Sequence, residues 1–328
     1  MKFFLKKIAI YLLIFFAISS TLYYFSKHNL LFDYTAKKFV QALSLSDQVI
    51  KDEFAEDRRI CFQLIAKHKK QHFQHLFIGS SRIMQLGKYT GFQKSLNLGV
   101  SAANLNDIQS VIQLTHLNQI QFDTLVIDVN PWTVCTSIES RYHEFSTLYN
   151  IRTALKDIFT FNFEPNDLFD LFKTGQKKYF SANNNDIHNP NNFIRFSDGS
   201  IKQKTLGPFM KSGRVDFFCQ DLYLLKNFYH IDTLLLNQFV DLLKSESKKH
   251  PVIVFLSPFH PKLFQTKNSD IRVRNLQKLE SQLFAKTPKN IQIIGGFNPI
   301  KFNLTDSNFV DGFHINETTI AGFFRKSP

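Results

Sequence analysis

With 328 residues, the chain is long enough for one large α/β domain or two small ones, each with a buried core. Lysine and arginine outnumber aspartate and glutamate by 40 to 27, a formal net charge of +13; that balance admits nucleic acid, anionic lipid or an acidic polymer as partner, or simply a solvated basic surface. Three cysteines, Cys61, Cys135 and Cys219, exclude a disulfide framework or a cysteine metal cluster and leave room for one bridge at most.

Lys2, Lys6 and Lys7 precede a run without charge from Ile8 to Ser26. Such a run predicts a transmembrane helix over residues 1–26, either an anchor or an uncleaved signal, and the leading lysines favour a cytoplasmic N-terminus. Lys27, Lys37 and Lys38 after the run make that asymmetry modest. The alternative is a cleaved secretion signal, because Ala17-Ile18-Ser19 offers small residues to a signal peptidase. Either outcome exports the domain and removes nucleic acid as a partner. The expectation is a single-pass protein of the inner (cytoplasmic) membrane, with the lipid bilayer as one partner and the domain extracytoplasmic or periplasmic. Residues 27–70, with charges scattered among apolar positions, read as a helical stalk.

From 71 to 328 strands alternate with helices. The first strand, His75 to Ile78, ends at Gly79-Ser80-Ser81. A second, Ser95 to Leu98, ends at Gly99 and leads into a helix from about Asn104 to Leu117, with Leu105, Ile108, Ile112 and Thr115 on one face. Thr124 to Asn130 is a continuously apolar third strand, suited to a parallel sheet covered on both sides, and Pro131 ends it. Leu235, Phe239, Leu242 and Leu243 recur at helical spacing ahead of the fourth strand, Pro251 to Ser257. A helix carrying Leu276, Leu279 and Leu283 closes before Pro288; the fifth strand is Ile291 to Ile294, and a last helix follows Asp311 and His314. The alternation predicts an α/β fold, a doubly wound parallel five-stranded sheet in a flavodoxin-like three-layer arrangement. From about 161 to 218 periodicity gives way to an Asn-rich insertion, Asn183-Asn184-Asn185-Asp186 and Asn189-Pro190-Asn191-Asn192. It reads as a lid, a recognition edge, or a long loop without a role.

Loops leaving the carboxyl ends of such strands gather at one edge, where ligands bind. That edge collects Ser81, Gly99, Asn130 and the pair Asp311 and His314. A serine hydroxyl needs an adjacent imidazole to take its proton, and an aspartate fixes that imidazole's tautomer. Asp-x-x-His lets one short segment supply both. The Asn130 side-chain amide and the backbone amides of Gly99 and Ser81 suit an oxyanion. Taken singly, the serines read as a helix cap, Asp311-Gly312 and Asn130-Pro131 as turns, and His314 as a surface imidazole. Their joint occurrence on one edge favours a site. Arg82 is a substrate-binding candidate for an anionic acceptor or the partner of a carboxylate. His260, in Ser257-Pro258-Phe259-His260-Pro261, is a substrate-binding candidate or a turn residue. Asp128 is a second carboxylate or a sheet-edge acceptor, and Trp132 is core or a sugar-stacking surface. Histidine spacing fits no metal site and no Gly-rich phosphate cradle occurs, so no cofactor and no metal is expected.

The ordered blocks resemble the SGNH hydrolase superfamily, the GDSL-like esterases and acyltransferases, from about 75 to 325. Gly79-Ser80-Ser81 looks like the family's Gly-Asp-Ser with Ser80 in place of aspartate, and Asn97-Leu98-Gly99 like its glycine block. Asp128-Val129-Asn130-Pro131 keeps the asparagine of Gly-x-Asn-Asp but neither flanking residue, and Asp311 with His314 matches Asp-x-x-His. The resemblance implies Ser81, His314 and Asp311 as catalytic residues and Gly99 with Asn130 as oxyanion donors. Gly-Ser-Ser and the N-terminal segment are similar to the membrane-anchored branch, which includes the D-alanyl transfer protein of teichoic acid modification and the alginate O-acetylation proteins. That likeness implies a serine esterase or O-acyltransferase acting on an acylated envelope polysaccharide or glycolipid beside a multispanning membrane acyltransferase. A non-catalytic assembly subunit on the same fold is the alternative, and the altered third block favours it.

Overall fold

The structure, a computed structural model, describes residues 2–27, 30–50, 57–135, 184–189, 191–222 and 225–325. The charge-free run lies in helix α1 (Lys2–Lys27), where Leu12, Leu13, Phe15 and Phe16 stand exposed. Among the described residues no helix is long and apolar enough to cross a membrane, so the spanning helix expected over 1–26 is not found.

Residues 27–70 are largely helical, as α2 (Leu30–Ser46) and α3 (Asp57–Lys67), with a short strand β1 (Gln48–Ile50) between them. They do not stand clear of the domain as a stalk. Ala36, Phe39, Val40 and Leu43 recur at i, i+3, i+4 and i+7, an apolar stripe that must find cover. All four are buried, and with Ile60, Leu64 and Ile65 of α3 they join the core that covers the sheet.

That sheet has five strands: β2 (His72–Ile78), β3 (Ser95–Asn97), β4 (Gln121–Asp128), β7 (Val252–Leu256) and β8 (Gln292–Gly295). They are all parallel and lie in the order β3-β2-β4-β7-β8. Successive strand residues divide between two cores because side chains alternate across a strand. Leu76, Ile78, Leu125, Ile127, Val254 and Leu256 enter one cluster, and Phe77, Val126, Phe255 and Ile294 the other. The first cluster is filled by α2, α3, α4 (Leu105–Leu117), α7 (Thr233–Glu246) and α9 (Ile271–Lys286); the second receives Ile320 of α10 (Glu317–Arg325). The expected α/β arrangement, a parallel sheet flanked by helices, is present. At the start of α4, Asn104 Oδ1 accepts from Asp107 N and Asp107 Oδ2 from Asn104 N, a reciprocal cap that fixes where the helix begins after β3.

The insertion is more regular than its composition suggests, although residues 161–183 and 190 of it lie outside the described residues. The rest holds α5 (Asn184–His188), β5 (Ile194–Phe196), β6 (Ile201–Lys202) and α6 (Pro208–Asp221). Pro208 at the first helical position suits an N-terminus, where no N–H partner is needed. Strand β5 pairs antiparallel with both β1 and β6, so the insertion is stitched to the segment ahead of the domain. Its turn also reaches the main sheet: Asn97 N donates to Asp198 O at 2.7 Å, and a Cβ on Gly199 would lie 2.1 Å from Asn97 O. Only glycine, here at φ +86°, admits that approach. All three cysteines are buried and free, so the one bridge the sequence allowed is not formed.

Candidate active site

Renumbered within the sheet, the strand order is 2-1-3-4-5, and the order reverses between β2 and β4, the crevice where ligands bind in doubly wound folds. The turn after β2 and the end of β4 meet there closely. A Cβ on Gly79 would lie 2.5 Å from Asp128 Cβ, so a side chain at this position would drive the two strands apart. Without one, Ser80 donates both its N–H, at 3.2 Å, and its hydroxyl, at 2.7 Å, to Asp128 Oδ2. Ser80 thereby faces inward, and the next residue, Ser81, faces the opening.

Ser81 Oγ lies 2.9 Å from His314 Nε2, and His314 Nδ1 lies 2.9 Å from Asp311 Oδ2. Asp311 Oδ1 accepts from the backbone N–H groups of Phe313 at 2.9 Å and His314 at 2.8 Å. Burial alone would push the Asp311 carboxyl up; the charge and hydrogen bond of His314 and the two amide bonds outweigh it and hold the group down at about 2. An ionised carboxylate so fixed holds a proton on Nδ1 and leaves Nε2 to accept from the serine. Ser81 and His314 are partly exposed, whereas Asp311 is buried, which is the order in which a relay reaches solvent.

Of the three expected oxyanion donors, two are engaged elsewhere. Asn130 is fully buried; its Nδ2 donates to Ser80 Oγ at 3.0 Å and Asp128 Oδ2 at 2.6 Å, so both amide hydrogens have partners. Asp128 draws it inward: this carboxyl, at the carboxyl end of β4 beneath the site, is fully buried, its pKa raised by burial against the pull of Arg82, Ser80 and Asn130, and among the described residues its Oδ1 has no partner. Gly99 N–H donates to Asn97 Oδ1 at 2.9 Å. Among the described residues the N–H of Ser81 has no hydrogen-bond partner, and it alone of the three is available.

Neither substrate-binding candidate faces the opening. Arg82 is 1 % exposed, and its hydrogen bonds run to a side-chain amide and three backbone carbonyls rather than to a carboxylate. His260 is buried: Nε2 lies 2.9 Å from Asp306 Oδ1, Nδ1 accepts from Lys262 N at the start of α8 (Pro261–Thr266), and its own N–H donates to Gly312 O. Burial lowers its pKa against the opposing pull of Asp306. It braces the turn that carries Asp311. Trp132 is 4 % exposed and belongs to the core. Among the described residues no group of histidine, cysteine and carboxylate side chains is placed to hold a metal.

One contributor, Asn97, was named in the sequence only as part of the glycine block. Its Nδ2 donates to Ile83 O at 2.9 Å and Leu86 O at 2.7 Å while Oδ1 takes the Gly99 amide, so one buried side chain pins the turn after Ser81 to the end of β3. The signal was a polar residue between Leu96 and Leu98 at the end of a strand, which burial tolerates only when its hydrogen bonds are met. No family model matches the chain, and no curated protein matches it.

Proposed function

We propose that this chain is a serine esterase or O-acyltransferase of SGNH type, acting on an acyl ester of an envelope polysaccharide or glycolipid. The observation that carries the reading is the unbroken relay from Ser81 Oγ through His314 to Asp311, with 2.9 Å at each step. His314 Nε2 takes the hydroxyl proton as Ser81 Oγ adds to the acyl carbonyl. The oxyanion forms beside the Ser81 N–H, the imidazolium returns the proton to the leaving oxygen, and an acyl-serine remains. Water resolves it in an esterase, and a sugar hydroxyl does so in a transferase. The exposed apolar side chains of α1 and its leading lysines support tethering at the inner membrane with the domain extracytoplasmic; a multispanning acyltransferase as partner rests on the likeness to the membrane-anchored branch alone.

A non-catalytic assembly subunit is the second reading, favoured by the engagement of both Asn130 and Gly99 within the protein. The two separate in purified full-length chain, parent against Ser81→Ala, with a chromogenic acetyl ester and a fluorophosphonate serine probe. Turnover and labelling in the parent, with turnover lowered by roughly 10⁴-fold or more and labelling lost in the variant, is the expected result. Equal turnover in both would remove Ser81 as nucleophile, and silence in both would favour the assembly role.

A further inference from the structure

The residue that follows the proposed nucleophile is a buried cation. Arg82 loses most of its hydration, and burial lowers its pKa to about 10, against the opposing pull of Asp128 and Asp311, so it stays charged at neutral pH. Its guanidinium reaches three separate strand-end loops. Nε donates to Phe313 O at 3.0 Å, Nη1 to Asn130 Oδ1 at 2.8 Å, and Nη2 to Ser257 O and Pro258 O, each at 2.6 Å. The plane lies 4.0 Å from the centre of the Phe259 ring.

Resting on the reading of Ser81 as nucleophile, we infer that Arg82 is the positioning residue that sets the distance between nucleophile and base. Ser81 and His314 are 233 positions apart in sequence, yet their loops are joined through one side chain. Arg82 is covalently attached to Ser81 and grips the carbonyl of Phe313, the residue directly before His314. The bonds to Ser257 and Pro258 fix the guanidinium against the end of β7, so the gripped peptide cannot drift with the loop. The bond to Asn130 Oδ1 also orients that amide, turning its hydrogens toward Ser80 and Asp128. A lysine could fill the space and keep the charge, but a point donor cannot hold carbonyls in three directions as the planar fork does.

The test compares parent, Arg82→Lys and Phe259→Leu as full-length chains, reading turnover of the acetyl ester and the proton resonance of His314 Nδ1–H, which lies downfield when bonded to Asp311. Displacement of the base by an ångström predicts kcat lower by about 10–100-fold in Arg82→Lys and by roughly 3–10-fold in Phe259→Leu, with KM within about twofold. In both variants the downfield resonance moves or broadens. Retained kcat with raised KM would make Arg82 a ligand contact, and retained kcat with an unmoved resonance at lower thermal stability would make it structural only; either overturns the inference. If the parent shows no turnover, the hydrolytic reading fails, and the resonance still decides what Arg82 does. If Arg82→Lys does not fold, Phe259→Leu carries both readouts.

Discussion

Two groups of buried arginines hold this protein together, and they are satisfied in different ways. Arg58 on α3 takes Asp107 in a bidentate pair, Nε at 3.2 Å and Nη2 at 2.8 Å, while Arg195 on β5 takes Asp57 at 2.5 Å. Asp57 also accepts from Ser101 Oγ, and Arg58 from its side reaches Ser101 O, so this cluster fastens α3 and the insertion to the loop after β3. Arg82, equally buried, takes no carboxylate among the described residues. Fork-to-carboxylate pairing is the stronger bond, but it uses up the acceptor. A carboxylate clamped by an arginine has little left for an imidazole. Because Arg82 is satisfied by carbonyl oxygens and one amide, Asp311 keeps Oδ2 for His314 and Oδ1 for two backbone amides. Ion pairs therefore build the frame, and the same residue type, fed by neutral oxygens, serves the site.

Of the changes that probe this contrast, removing the charge that Arg82 leaves free should have the largest effect. Asp311→Asn keeps the shape but no longer fixes the tautomer, and ester turnover should fall by roughly 10³–10⁴-fold with the fold intact by circular dichroism. In the frame, Arg58→Met strands Asp107 in the core. Denaturant unfolding should show a loss of about 3–5 kcal/mol, while turnover per folded molecule stays within about twofold of the parent. If Arg58→Met instead abolished turnover without loss of stability, the division between frame and site would be wrong.

The smallest effect is a dependence on pH. Asp311 sits at about 2 when folded, below its ordinary value of 3.8, so its stabilising contribution is present above about pH 4 and is lost as pH falls through 2. The shift corresponds to about 2–3 kcal/mol. Unfolding free energies of parent and Asp311→Asn, measured at pH 6 and near pH 2, should converge by that amount as acid is added. A constant gap would mean that the carboxylate gains nothing from its neighbours.

Much of this was legible in the sequence because the strands are short, apolar and punctuated by glycine and proline. All five strands of the main sheet lie within about three residues of the segments the sequence marks, and Ser81, His314 and Asp311 converge at the edge the sequence indicates. What the sequence hid were the choices each polar atom makes among competing partners. Asn130 and Gly99 lie at the expected edge, yet whether an amide points at a substrate or at Asp128 depends on a tertiary contact, the close approach at Gly79. For Arg82 the sequence offers an anionic acceptor or a carboxylate partner; only the convergence of Asn130, Ser257, Pro258 and Phe313 shows that its guanidinium meets neutral oxygens instead. Residues 27–70 looked like a stalk because charges interrupt them, although Phe39 and Leu43 already marked a face in need of cover. In the insertion, α6 was missed because its buried positions reduce to Val215, Phe218 and Cys219, too few for a clear period.

The seat of the Asp198–Gly199 turn on β3 moves the true boundary of the folding unit. β3 is one of the two edge strands of the main sheet, and an uncovered edge invites pairing with a foreign chain. A shortened chain that began at residue 71 would lose β1, the strand on which β5 and its turn are hung, together with the apolar stripe of α2. Such a truncation would expose both the rim of the sheet and its greasiest flank. Whoever trims this protein for expression should keep everything from Leu30 onward.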